Sequence, residues 1–148
     1  VHAYDTSETA RALCSSMAAL NGVAERVSVK TTCTSETLIN FPKPGRTLVI
    51  VDCESYEKVL FTAAVRDALK GCDVLIEMHD FLDVTISTEL EALFGSTHEL
   101  TTVLSTDDIQ KAKHYQYPEL AGLPIQVRFQ LLREGRPMIM EWLLAEAR

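Results

Sequence analysis

Leu48-Val49-Ile50-Val51-Asp52 is the stretch from which the fold is read. A continuous run of branched apolar residues ending in an acid marks a strand buried on both faces, as in a parallel sheet. Val74-Leu75-Ile76 repeats the pattern one helix later. Between them Leu60, Phe61, Ala64, Val65, Ala68 and Leu69 share one side of a helix that Gly71 stops. Upstream, Val1–Tyr4 reads as a strand and Asp5 or Thr6 as the cap of a helix carrying Ala10, Leu13, Met17 and Leu20, with Asn21-Gly22 as its stop. Arg26–Lys30 is a further strand and Thr34–Ile39 a short helical turn. Downstream, Thr88–Glu91 fits a capping box, Leu100–Leu104 a strand, and Pro124 and Gly135 bracket a helix. Met138–Leu144 fits a strand or a helix equally. Strand alternating with helix, around doubly buried strands, predicts an α/β protein: a three-layer, mostly parallel sheet with helices on both faces.

The 148 residues are one domain's worth, with no linker long enough to divide them, so residues 1–148 are expected to form a single domain. A hydrophobic share of 47% with 24% charged residues excludes a disordered chain. The formal net charge of −7 lacks the basic stripe of a phosphate-backbone binder, so nucleic acid is not the expected partner. No apolar run reaches the length of a membrane span, and no signal peptide is legible. A small molecule is the expected partner, and homo-oligomerisation stays open. Cys14, Cys33, Cys53 and Cys72 have neither zinc-knuckle nor redox-pair spacing and read as reduced thiols of a cytoplasmic protein. Val1, already inside a strand-like stretch, reads as the point where something upstream has been cut away.

In an open α/β sheet the ligand lies beyond the carboxyl ends of the strands. The polar residues there are Asp5, Cys33-Thr34, Asp52-Cys53-Glu54 and Glu77-Met78-His79-Asp80. Read alone, Asp5 is favoured as a helix cap, whereas Asp52 is favoured as a site residue because Ser55 is available as the cap.

Val-His-Ala-Tyr-Asp, an alanine-rich helix and then Asn21–Val27 resemble the second motif region of class I S-adenosylmethionine-dependent methyltransferases. Leu48–Asp52 with Cys53–Glu57 is similar to the D-x-E-G-x-E motif of their FkbM-like branch, and Val74–Asp80 to its fifth-strand segment. Arg136-Pro137 with Met140-Glu141-Trp142 resembles the closing strand. The resemblance implies a Rossmann-like sheet with its last strand antiparallel, S-adenosylmethionine as cofactor, and methyl transfer to an oxygen or nitrogen of a small molecule. By position, Asp5 and Thr6 would hold the cofactor ribose, Cys33 and Thr34 would lie near the adenine, and Asp52, Cys53 and Glu54 would line the cofactor side. Asp52, His79 and Asp80 would be catalytic, with His79 suited to removing a proton near neutral pH. Two alternatives stand beside proton transfer for Asp52, His79 and Asp80: a structural or substrate-orienting role, which is favoured, and a hard divalent ion, disfavoured because one His and two acids are a weak metal signature. The rival functions are a non-catalytic Rossmann-like remnant and a nicotinamide-dependent oxidoreductase.

Two departures qualify the resemblance. Ser55 stands where the branch has Gly, which predicts a different backbone at that turn. No glycine precedes Gly22, so the glycine-rich first motif is missing and the chain resembles a methyltransferase lacking its first strand, glycine turn and first helix. Such a chain would be inactive alone. Its sheet would also keep a gap, with Val1–Tyr4 and Leu48–Val51 about 9–10 Å apart rather than paired.

Overall fold

A computed structural model describes residues 1–136 and 138–148. The elements follow in the order β1 (His2–Tyr4), α1 (Glu8–Leu20), β2 (Ser28–Lys30), α2 (Ser35–Asn40), β3 (Thr47–Val51), α3 (Glu57–Leu60), α4 (Ala63–Ala68), β4 (Cys72–Met78), α5 (Ile86–Phe94), β5 (His98–Leu104), α6 (Asp108–His114), α7 (Ile125–Leu132) and β6 (Glu141–Ala147). Two short 3-10 turns, Ala24–Arg26 and Pro118–Leu120, lie in the connections.

The strands form two pieces. β1 pairs in parallel with β2, while the larger sheet has the order β3-β4-β6-β5. β3 and β4 are parallel, and β6 runs against both of its neighbours, so β4 and β5 share a direction. This is the expected Rossmann-like arrangement with an antiparallel last strand. No ladder joins β1 to β3 among the described residues. The β1–β2 piece is tied to the rest through α2, where the Ser35 hydroxyl donates to the Leu60 carbonyl at 2.8 Å and Leu38 enters the main core.

That core lies on one face of the larger sheet. Cys72, Val74, Ile76 and Met78, alternate residues of β4, meet Leu143 and Ala145 of β6 under Leu60, Val65, Ile86, Leu90 and Phe94. The period of two places these side chains together. Phe61 and Phe94 meet edge to face at 5.2 Å between ring centres. His98 is fully buried, its Nε2 3.2 Å from the carbonyls of Leu69 and Cys72, and so serves structure.

Several local expectations change. Leu48–Val51 is not buried on both faces: Leu48 and Ile50 are 55% and 63% exposed, because the helices that bury Val51 all stand on the other side. The apolar stripe of α1 likewise faces water at Leu13, Met17 and Leu20, leaving Ala18 as its one buried residue. Ser7, not Asp5 or Thr6, caps α1: its hydroxyl accepts the Ala10 N–H, while Asp5 Oδ1 accepts the Ser7 N–H at 2.7 Å. The helix after β3 is split into α3 and α4, because Thr62 starts a new cap by accepting the Val65 N–H and Phe61 turns into the core. α5 begins at Ile86, before the expected Thr88 box, with Asp83 accepting the Thr85 N–H. Met138–Leu144 resolves as a strand from Glu141 onward, because β4 and β5 present ladder groups on both of its sides. α6 had no counterpart in the sequence reading; Asp107 caps it.

The uneven burial predicts uneven stability. Amides of β1, α1 and β2 should exchange with solvent at least about a hundredfold faster than those of Val74–Ile76, since few apolar contacts oppose local opening there. Native-state hydrogen exchange reporting equal protection in both regions would contradict this.

Candidate functional site

β3 and β4 run parallel, so both deliver the residues after their last ladder pair to the same edge of the sheet. Asp52, Cys53 and Glu54 follow β3, and His79 follows β4. The chain bends sharply between β3 and α3, with Glu54 at φ 50° and Ser55 at φ 75°. This left-handed backbone is the one glycine adopts most readily. Ser55 therefore keeps the glycine-like turn instead of altering it, and it does not cap α3, whose capping position is Tyr56.

Glu57, in the first turn of α3, is fully buried and lies under the His79 ring, its Oε1 2.6 Å from Nδ1. Nδ1 donating to a carboxylate leaves Nε2 as the lone-pair nitrogen of the neutral ring. Nε2 lies 3.4 Å from Asp52 Oδ1 and 3.6 Å from Glu54 Oε2. One atom from each of Asp52, Glu54 and His79 falls within 4.8 Å of the others. His79 is 3% exposed, while the two acids reach solvent. The imidazole thus has a fixed, shielded base and one working nitrogen turned toward two carboxylates.

A cavity of about 490 Å³ opens on this group, lined among others by Asp52, Glu54, His79, Glu77, Phe81 and Arg136. Glu77 is buried and ion-paired with Arg136, which also bonds Glu134. Bonds from Lys111 and Arg136 hold the Glu134 carboxyl below its usual range. The cavity wall therefore carries charges of both signs beside the aromatic face of Phe81.

The structure sorts the expected site residues into four groups. Asp52, Glu54 and His79 come together. Asp80 does not join them: its Oδ1 accepts the Ser87 N–H at 2.9 Å and so holds the start of α5. Asp5 and Thr6 lie at the carboxyl end of β1 and Cys33 and Thr34 beyond β2, on the smaller piece of sheet. Asp5 spends one oxygen on Ser7, and the Thr34 hydroxyl caps α2 by accepting the Thr37 N–H. Cys53 is half-buried, and burial with the Glu57 and Asp52 carboxylates nearby pushes its thiol up to about 12. Glu57, Glu77 and Arg136 went unassigned in the sequence. Glu57 had a signal, as the third acid of the D-x-E-G-x-E-like stretch, but its burial beneath His79 had none.

No family model matches this chain, and no curated protein sequence matches it significantly. Solved structures do resemble it. One is a putative precorrin-6Y C5,15-methyltransferase targeted domain from Corynebacterium diphtheriae, 13% identical, with a TM-score of 0.55 over 99% of this chain and 75% of that one. Another is the MccD protein, 12% identical, with a TM-score of 0.51 over 99% of this chain and 79% of that one. The chain has the Rossmann-like α/β fold of these structures. Among the described residues no helix is long and apolar enough to cross a membrane.

Two outcomes follow from the turn. Ser55→Gly relieves a left-handed serine at the cost of a more flexible unfolded chain, and should stabilise the protein by about 0.5–1 kcal/mol in urea unfolding. An unchanged or lowered midpoint would show that the turn is unstrained. Cys53 should resist alkylation at pH 8. Its thiolate fraction there is about one in ten thousand, against about a quarter for an ordinary thiol, and the stronger nucleophilicity of a basic thiolate recovers only part of that. Mass-resolved labelling with iodoacetamide should run about a hundredfold slower at Cys53 than at a small free thiol; a rate within tenfold would contradict the assignment.

Proposed function

We propose that the protein is an S-adenosylmethionine-dependent methyltransferase of the FkbM-like branch, acting on an oxygen or nitrogen of a small molecule. The observation that carries the reading is the His79 imidazole, anchored by Glu57 and turned toward Asp52 and Glu54 at the carboxyl edge of the sheet, beside a cavity. An oxygen or nitrogen acceptor loses a proton in exchange for the methyl group, and for a hydroxyl early removal of that proton makes the oxygen a better nucleophile. A shielded imidazole nitrogen between carboxylates is suited to that task.

Asp5 supports a cofactor at the other end of the edge. Its Oδ1 is fixed by the Ser7 N–H, which orients the carboxylate and leaves Oδ2 to accept from a ribose diol. Thr6, Cys33 and Thr34 would border the same ligand, and Cys53, as a neutral thiol, would pack against it rather than react. When bound, the cofactor supplies an electrophilic methyl group. The protein's own residues then have three tasks: Asp5 binds, Phe81 and the Glu77–Arg136 pair shape the acceptor cavity, and the Asp52–Glu54–His79 centre handles the proton. Asp80 enters this reading only by holding α5 in place.

The test is calorimetric. In the natural full-length protein, S-adenosylhomocysteine should bind, and Asp5→Ala should weaken it by about 1–3 kcal/mol, the loss expected for hydrogen bonds to a charged group. Equal affinity in both proteins would remove Asp5 from the site. No binding of S-adenosylhomocysteine to the wild type would overturn the methyl-transfer reading and favour a non-catalytic domain.

A further inference from the structure

Buried polar groups are almost always paired, and an exception calls for an explanation such as a catalytic role, a water or an ion. His79 Nε2 belongs to a side chain that is 3% exposed, yet its nearest oxygens, at 3.4 and 3.6 Å, lie beyond a good hydrogen bond. Beneath it, Glu57 Oε2 is buried without a nitrogen or oxygen partner among the described residues, with the Cys53 thiol beside the carboxylate. Facing Nε2 among the described residues are the Asp52 and Glu54 carboxylates, which when ionised cannot donate to its lone pair. A nitrogen lone pair facing two anions is an unfavourable arrangement unless something positive sits between them.

The geometry points to a divalent metal ion bound by Asp52, Glu54 and His79, with Glu57 as the carboxylate that orients the histidine. The separations match. Donors held about 2.1 Å from one ion stand about 3.0 Å apart at octahedral angles and about 3.4 Å apart at tetrahedral ones. The observed 3.4 and 3.6 Å need a shift of only a few tenths of an ångström. The carboxylate–imidazole bond behind the ring is the support that metal-binding histidines usually have, fixing both tautomer and direction. One nitrogen and two carboxylate oxygens suit Mn²⁺, Zn²⁺ or Fe²⁺ better than a calcium-like ion, which prefers an all-oxygen shell. Three protein donors leave further positions open, and these face the cavity, where a ligand oxygen can complete the shell.

The sequence nominated these residues but grouped a different triple around the metal. The residue triple read there as a metal alternative was Asp52, His79 and Asp80, and Asp80 is turned away to Ser87. Glu54 takes its place, carried there by the left-handed turn. The site rests on this geometry and not on cofactor binding at Asp5, but it competes with His79 as a base: an Nε2 lone pair given to a metal ion is no longer available to a proton, which would then leave through a carboxylate or water.

Mn²⁺ is the probe, since it can be followed by calorimetry and by electron paramagnetic resonance without any other ligand. The wild type should bind one Mn²⁺ per chain, with a nitrogen hyperfine coupling that disappears in His79→Ala. Asp52→Asn and Glu54→Gln should each weaken binding at least about tenfold, and Glu57→Gln by about 10- to 100-fold through loss of histidine orientation. Exposed Glu99→Gln should leave it unchanged. Because Asp52 and Glu54 are solvent-exposed, their variants should fold normally, with circular dichroism as the check. The inference is overturned by either of two results: no saturable Mn²⁺ or Zn²⁺ binding, meaning that the ring simply holds a proton among three carboxylates, or binding that survives unchanged in His79→Ala and Glu54→Gln. Because S-adenosylhomocysteine binding is measured without metal, failure of the cofactor reading and failure of the metal reading are told apart.

Discussion

The 2.6 Å contact between Glu57 and His79 is the interaction on which the site depends. Both side chains are almost wholly withdrawn from water, and burying either without a partner would be strongly unfavourable. Together they join the first turn of α3 to the end of β4, two elements that no ladder connects. The bond sets the ring plane, and the ring plane sets where Nε2 points. Removing the carboxylate would leave a buried imidazole free to turn away from Asp52 and Glu54.

That bond is possible because of how β3 and β4 are paired. A parallel ladder in register from Thr47↔Cys72 to Val51↔Ile76 brings Asp52 and the β4 terminus to a common edge. The core beneath β4 holds this edge still, with Val65, Val74, Ile76, Ile86 and Leu143 fully buried. The turn after β3 is the strained component. Two consecutive left-handed non-glycine residues lie directly between Asp52 and Glu57, so the backbone strain is concentrated where the side chains converge.

The two pieces of sheet differ in how firmly they are built. β3, β4, β5 and β6 share a deep core, whereas β1 and β2 pair with each other and pack against α1. The proposed ribose contact at Asp5 thus lies on the thinner piece and the acid–histidine cluster on the thicker one. Ligand-binding segments are often drawn from the less stable parts of a fold, and a ligand spanning both pieces would add contacts that the strands themselves do not make.

Much of the fold was legible because it follows from local rules. Alternation and branching located β3 and β4, and turn residues marked the ends of α1 and α7. What local pattern did not carry was which side of a strand meets a helix. Leu48 and Ile50 read as core and face water instead. The site was half legible for the same reason. The strand ends nominated Asp52, Glu54 and His79, because a parallel sheet sends such residues to one edge. Whether each side chain turns toward the others depends on the backbone conformation at Glu54 and Ser55, on the burial of Glu57 and on the Ser87 N–H that draws Asp80 away. By itself the sequence determined the α/β class and the set of residues delivered to the carboxyl edge, since both depend on periodicity and chain order. Only the tertiary structure decided which of them meet, because that depends on packing and hydrogen bonds between segments more than twenty residues apart.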